Sequence, residues 1–442
     1  MSWKEYFNMA SLQRESHANA VKRILDASIS AANPADAVRR WLTRDGNLLR
    51  VNGREYPLNE FSGVYLVSVG KAAISMAVAA SELLGGNPHE GIVVAKYLPA
   101  VSLPENLAFL ESSHPLPNER SLRAGEMILA LLKKTTASDL VIFLISGGGS
   151  ALMTSPVTGV SLKDMEKLTS LLLACAARID EINTLRRALD LVKGGGLARA
   201  TFPAQMISLL LSDVINSPLE AIASGPTVPN PSTRSDALNV LRKYNLFSQT
   251  PSTIIEVLQQ EEETEREDPF SRGVVHIIGS NLISAQAAQA QALREGFDAQ
   301  IVTTSLQGEA AQVGQELATK LANNKKRPIC LIAGGETTVS LGNTNGLGGR
   351  NQEVALSAVA GLANIPDVML VTLATDGEDG PTDAAGAVVT GETLARAQLL
   401  GLDLDAHLHN HNAYPFFDAL GDLLKIGPTG TNVNDLTFLF AF

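Results

Sequence analysis

Five apolar runs in this chain stop at clusters of glycine and polar residues: SVGKAA, ISGGGSAL, LSDVINS, AGGETTV and ATDGEDG. The side chains able to do chemistry stand in these clusters and in one further glycine-rich segment. Lys71 occupies a strand-to-helix turn, where a helix N-terminus draws anions and an ammonium is out of place unless it shares one. Ser146-Gly147-Gly148-Gly149-Ser150 offers backbone N–H groups with no side chain in front of them, a concavity for a carboxylate or phosphate. Gly346-Leu347-Gly348-Gly349 leads into Arg350, whose planar fork of donors fits the same oxygens. Asp213 and Asp376 each follow an apolar strand and a hydroxyl residue, a setting in which one or two carboxylates hold Mg²⁺ while phosphate and water complete its shell. His114 precedes a proline and a helix start, placed either to contact substrate or to pack. Each feature has a plain structural alternative: a solvated turn lysine, a flexible turn, an Arg350–Glu353 pair, two helix caps.

The chemistry these residues could share is phosphoryl transfer, which needs positioned cations, a metal and N–H cradles rather than a covalent intermediate. The first cluster is no P-loop, because Tyr65 stands where its first glycine belongs and Ala72 replaces the hydroxyl residue. HExxH, GxSxG and a GxGxxG fingerprint with its acidic partner are all missing from the sequence.

Strand-length apolar runs alternating with helical segments predict the elements that carry these clusters. GVYLVSVG, GIVVAKY, DLVIFLI and AQMISLLLSDV read as strands of one sheet; VVHIIGS, AQIVTTS, PICLIAGG, VMLVTLATD and LTFLFAF read as a second set. The expected fold is α/β: two domains, residues 1–237 and 238–442, each a mainly parallel sheet flanked by helices, Rossmann-like in the first, with the active-site cleft between them. Prolines in PTVPNPST (226–233) mark the expected hinge, and QQEEETEREDPFSR reads as a solvated or linker stretch. A length of 442 residues fits two domains, and 45% hydrophobic with 18% charged residues is globular composition. The net charge of -11 argues against a nucleic-acid partner. Apolar runs too short for a bilayer and a charged N-terminal segment predict a cytoplasmic protein without membrane contact, monomer or homodimer. Cys175 and Cys330 lie in apolar runs and read as buried structural thiols.

SVGKAA, SGGGSALM, NTLRRALDLVKGGGLA, LSDV with SGPTVP, GGETTV, GLGGRNQE, TDGEDGPTDAAGA and GPTGTNVNDL occur in this order. Together they resemble the glycerate 2-kinase family, whose C-terminal part is the MOFRL domain, over roughly residues 15–440. The resemblance implies ATP- and Mg²⁺-dependent phosphorylation of D-glycerate to 2-phosphoglycerate, with Lys71 and Arg350 catalytic. Residues 146–150 and His114 are the candidates for substrate, Lys193, Gly194, Gly335, Glu336, Thr337 and Asn351 for nucleotide, and Asp213 and Asp376 for metal. Two departures stand out: Asn216-Ser217 where the family usually has Gly-Asp, and Asn230 where it usually has Asp. Some relatives are named hydroxypyruvate reductases, which makes a reductase the alternative activity; a non-catalytic ligand-binding protein is the alternative of another class.

Overall fold

The computed structural model describes residues 7–14, 16–85, 89–98, 102–261 and 267–442. They form two compact units, one of Pro34–Ile278 and one built from the chain up to Asn33 together with Gly279–Phe442. We call them the core unit and the terminal unit. The units therefore part at 33/34 and 278/279, not at the 237/238 boundary drawn from sequence. The proline segment at 226–233 is no hinge between them either. Thr227 and Val228 are buried, Thr227 Oγ1 lies 2.8 Å from Ser208 Oγ, and the Pro226 carbonyl accepts from Leu197 N at 2.9 Å. A proline cluster marks a break in hydrogen bonding, and that break can lie within a core. Part of the acidic run, 262–266, lies outside the described residues.

Helix α1 (Ala18–Ala32) buries Val21, Ile24, Leu25, Ser28 and Ala32, one stripe at helical period. That stripe joins the terminal unit's core with Ala285, Ala288 and Ala292. Near its start the core unit has an antiparallel meander of β1 (Leu42–Asp45), β2 (Leu48–Val51) and β3 (Arg54–Pro57).

Its main sheet comprises β4 (Gly63–Val69), β5 (Glu90–Ala95), β6 (Leu107–Glu111), β7 (Asp139–Ile145), β8 (Gln205–Leu211) and β9 (Gly273–Gly279), in the spatial order β6-β5-β4-β7-β8-β9. The pairings from β6 to β8 are parallel. Every residue of β4 and β7 is buried, which explains their unbroken apolar runs: helices cover both faces of such a sheet. Helices α2 (Ala73–Leu83), α3 (Leu162–Ala174) and α4 (Ile179–Ala188) belong to this unit. The strand order is that of a doubly wound nucleotide-binding sheet, and it reverses direction between β4 and β7.

The terminal unit carries α5 (Asn281–Arg294), β10 (Asp298–Leu306), β11 (Ile329–Gly335), α6 (Arg350–Leu362), β12 (Val368–Ala374), β13 (Val388–Thr390) and β14 (Asp435–Ala441). Its sheet runs β10-β11-β14-β12-β13. Only β10–β11 is parallel; β14 lies antiparallel between β11 and β12, and β13 is antiparallel to β12. This sheet is thus mixed, not mainly parallel. LTFLFAF is apolar because β14 is buried throughout, and burial on both faces says nothing of strand direction.

Cys330 is buried in β11, where burial pushes its thiol up, while Cys175 is only half-buried. Among the described residues no helix is long and apolar enough to cross a membrane.

Candidate active site

In a doubly wound sheet the ligand crevice opens at the carboxyl ends of the strands where the order reverses. Here that point lies beyond Val69 and Ile145, and the first two predicted clusters meet there. Lys71 N donates to the Gly147 carbonyl at 2.9 Å, and Ala72 N donates to Ser146 Oγ at 3.0 Å. The approach is possible only because residue 70 is glycine: its φ is +132° and a Cβ there would sit 2.1 Å from Ser146 Oγ.

Three predicted side chains surround the glycine loop. A Cβ on Gly147 would fall 1.9 Å from Asp213 Oδ2, so this carboxylate lies directly over the loop backbone. A Cβ on Gly148 would meet His114 Cδ2 at 3.0 Å and Lys71 Cγ at 3.4 Å. Burial, then the charges of Lys71 and Lys96, holds the His114 imidazole below its usual pKa, so the ring is neutral at neutral pH. The Lys71 side chain is exposed, and among the described residues no hydrogen bond or ion pair reaches its ammonium. Ser150 Oγ lies 2.8 Å from Ser224 Oγ.

Sequence reasoning missed Arg186. It sits on α4, half-buried, in the NTLRRALDLV segment. Burial lowers the guanidinium pKa, partly offset by the charge of Asp190, and no hydrogen bond or ion pair reaches it among the described residues. It lines a 160 Å³ cavity together with His114, Gly148 and Ser150. The next residue, Arg187, does the opposite. It donates to Asn230 Oδ1 at 2.9 Å and to Ser232 Oγ at 3.1 Å. An Arg-Arg pair on an amphipathic helix contains nothing that separates the tied arginine from the free one.

The departures from the family pattern have local explanations. Asn230 Oδ1 also accepts from Ser232 N and Oγ, an anchoring role that an aspartate would fill equally. Asn216 and Ser217 adopt left-handed φ of 59° and 49°; asparagine tolerates that region better than most residues.

Lys193 and Gly194 are engaged in the fold. Lys193 is buried, donates to the Met153 carbonyl at 3.1 Å and forms an ion pair with Asp190. Asp190 also accepts from Thr154 Oγ1 at 2.6 Å and Ser155 N at 3.0 Å. Gly194 turns the chain at φ +53° and donates to Ser224 O at 2.9 Å.

In the terminal unit, the predicted residues gather where β11 ends and β14 begins. Arg350 Nε donates to Asp435 Oδ2 at 2.6 Å and Nη1 to Glu336 Oε1 at 2.7 Å. Burial works against this charge, yet the carboxylates of Asp435, Glu336 and Asp379 hold its pKa above the ordinary value. Asp379, also unpredicted, caps α6. Its oxygens accept from Asn351 N at 3.1 Å, Asn351 Nδ2 at 3.3 Å and Gln352 N at 2.9 Å. Burial, helped by the charge of Asp435, pushes Asp379 up to about 7. Thr337 and Asn351 are buried beside this group, and Gly335 takes φ +152° where a Cβ would strike Leu306. Asp376 accepts from Glu378 N at 3.2 Å and Asn432 Nδ2 at 3.4 Å, a turn-capping arrangement.

Family models and known relatives agree with this layout. Residues 20–259 match a domain of unknown function, DUF4147, and residues 329–435 match the MOFRL family. The D-glycerate 2-kinase of Thermotoga maritima is 41% identical over 419 residues, covering 93% of this chain and 95% of that one. A putative hydroxypyruvate reductase of Agrobacterium vitis is 38% identical, covering 94% and 92%. The crystal structure of the Thermotoga maritima glycerate kinase superposes with a TM-score of 0.86 at 40% identity, covering 96% of this chain and 99% of that one. With a doubly wound sheet that bears DUF4147, a mixed sheet that bears MOFRL, and near full-length identity of this order, the chain belongs to the glycerate kinase family.

Proposed function

We infer that the protein transfers the γ-phosphoryl group of ATP to the 2-hydroxyl of D-glycerate, yielding 2-phosphoglycerate and ADP. The observation that carries this reading is a pair of cations, Lys71 and Arg186, that have no hydrogen-bond or ion-pair partner among the described residues, beside a glycine loop at the switch point of a nucleotide-binding sheet. Cations already placed at the site stabilise charge on the migrating group. Arg186 and the loop N–H groups hold phosphate oxygens, and the exposed Lys71 ammonium follows the charge as it moves. The neutral ring of His114, 3.0 Å from where a Gly148 side chain would begin, faces the substrate and adds no competing charge.

Arg350, in the terminal unit, is the second residue we assign to catalysis. Of its two partners, Glu336 is the more exposed, at 42% against 10% for Asp435. Glu336 is therefore the carboxylate that a phosphoryl group displaces, while Asp435 keeps the fork oriented. Mg²⁺ fits hard oxygen donors, for which Asp213 in the core unit and Asp376 in the terminal unit are separate candidates. Among the described residues no three ligand side chains cluster, so the protein would give the ion one or two carboxylates, as Mg²⁺–phosphate sites commonly do. Bound there, it would neutralise phosphate charge. We place the reaction in the cytoplasm.

A reductase reading rests on the name of the Agrobacterium vitis relative. Two assay arms separate the readings: D-glycerate with ATP and Mg²⁺, and hydroxypyruvate with NADH or NADPH. ADP formation in the first arm alone is expected; reduced-cofactor oxidation in the second alone would replace the kinase by a reductase.

A further inference from the structure

The core unit contains a second, larger cavity of about 310 Å³, the size of a small-molecule site. One wall is a face of α3. Leu162, Met165, Glu166, Thr169, Ser170 and Leu173 follow each other at helical spacing, whereas the buried Leu168 and Leu172 serve the unit's helical core. Leu116 and Pro117, from the segment after His114, also line it, and Leu116 and Leu173 stay 59% and 60% exposed. Large apolar side chains left in solvent around a cavity mark a surface that something covers.

Arg186, Ser150 and Pro117 line this cavity and the 160 Å³ cavity at the glycine loop alike. The two are therefore compartments of one site, an apolar slot continuing into an anion pocket past a guanidinium that no hydrogen bond or ion pair reaches among the described residues. We propose that the slot holds the adenosine moiety of the phosphoryl donor, with the base against Leu116, Pro117 and Met165. This assignment rests on the kinase reading. Glycerate has a carboxylate, two hydroxyls and almost no apolar surface, so an apolar slot would strip its water without replacing the hydrogen bonds. ATP is the only participant that joins a flat, largely apolar ring to a polyanion. The exposed Glu166 and Ser170 and the half-buried Thr169 supply acceptors and donors for the exocyclic amine and ribose hydroxyls.

Two measurements on the full chain test the assignment. Photolabelling of the wild-type protein with 2-azido-ATP should modify peptides containing residues 115–118 or 162–173, with protection by ATP; labelling confined to other peptides overturns it. Thr169→Trp fills the slot without touching the phosphate ligands. It should raise KM for ATP about tenfold or more and leave KM for glycerate within about twofold. It should also abolish adenosine binding while tripolyphosphate still binds. Unchanged KM for ATP, or equal loss of both ligands, would overturn the proposal. If the wild-type protein phosphorylates nothing, the kinase reading fails alone, since photolabelling still shows whether a nucleotide occupies the slot.

Discussion

The two units each place a basic residue at a glycine-rich segment leading into a helix, yet they treat it oppositely. In the core unit Lys71 and Arg186 have no carboxylate partner among the described residues. In the terminal unit Arg350 is held by Asp435 and Glu336, with Asp379 close by. A cation left without a partner is ready for a ligand at no structural cost. A cation tied to a buried carboxylate also supports the fold, and it must exchange one partner before it can act.

The sharpest way to break this contrast is to delete each cation. Lys71→Ala should lower kcat/KM by about 10²-fold or more, the scale of losing one transition-state donor. Its unfolding midpoint should stay at the wild-type value, because among the described residues no hydrogen bond or ion pair reaches the ammonium. Arg350→Ala should lose activity on a similar scale and also be destabilised by ~3 kcal/mol, as when one partner of a buried pair is removed. Thermal or urea unfolding beside steady-state kinetics measures both. Equal stability of the two variants would erase the distinction between the units.

A smaller effect sharpens the core-unit side. Arg186→Ala should raise KM for ATP by about tenfold, the value of one exposed-to-half-buried charge-assisted contact. Arg187→Ala should instead lower stability, because Asn230 and Ser232 lose their donor. If the two arginines behave alike, the assignment of Arg186 to the anion pocket is wrong.

A pH-dependent effect concerns Asp379. Its folded pKa of about 7 lies above the ordinary carboxylate value near 4. The fold then binds this proton more tightly than the unfolded chain. Its contribution to stability is fully present below about pH 4, declines as pH rises toward 7, and is flat above. Asp379→Asn removes the group, so the stability of the variant relative to wild type should increase between pH 4 and 7. Urea titrations at intervals across that range would read it directly; a constant difference would mean that Asp379 is not perturbed.

Much of this was legible in the sequence, for a physical reason. Strands buried on both faces are unbroken apolar runs, and glycines where chains approach closely are fixed by space, as Gly70 and Gly147 show. The runs and their ends therefore located Lys71, the 146–150 loop and Asp213, whereas His114 stood out only by its place before a proline and a helix start. Strand direction left no trace, so β14 was indistinguishable from a parallel strand. Nor could composition show that α1 joins the unit at the far end of the chain, since an amphipathic stripe does not name its partner. Arg186 and Asp379 were missed because their roles depend on what faces them: Arg186 meets a cavity, Asp379 a helix start.

The central claim is that phosphate goes to the 2-hydroxyl of glycerate. The direct test couples the purified protein, D-glycerate, ATP and Mg²⁺ to enolase and pyruvate kinase, with no phosphoglycerate mutase. Enolase accepts 2-phosphoglycerate, and the ADP released completes the pyruvate kinase step, so pyruvate should form at once. Pyruvate that appears only after mutase is added would show 3-phosphoglycerate as the product and contradict the assignment.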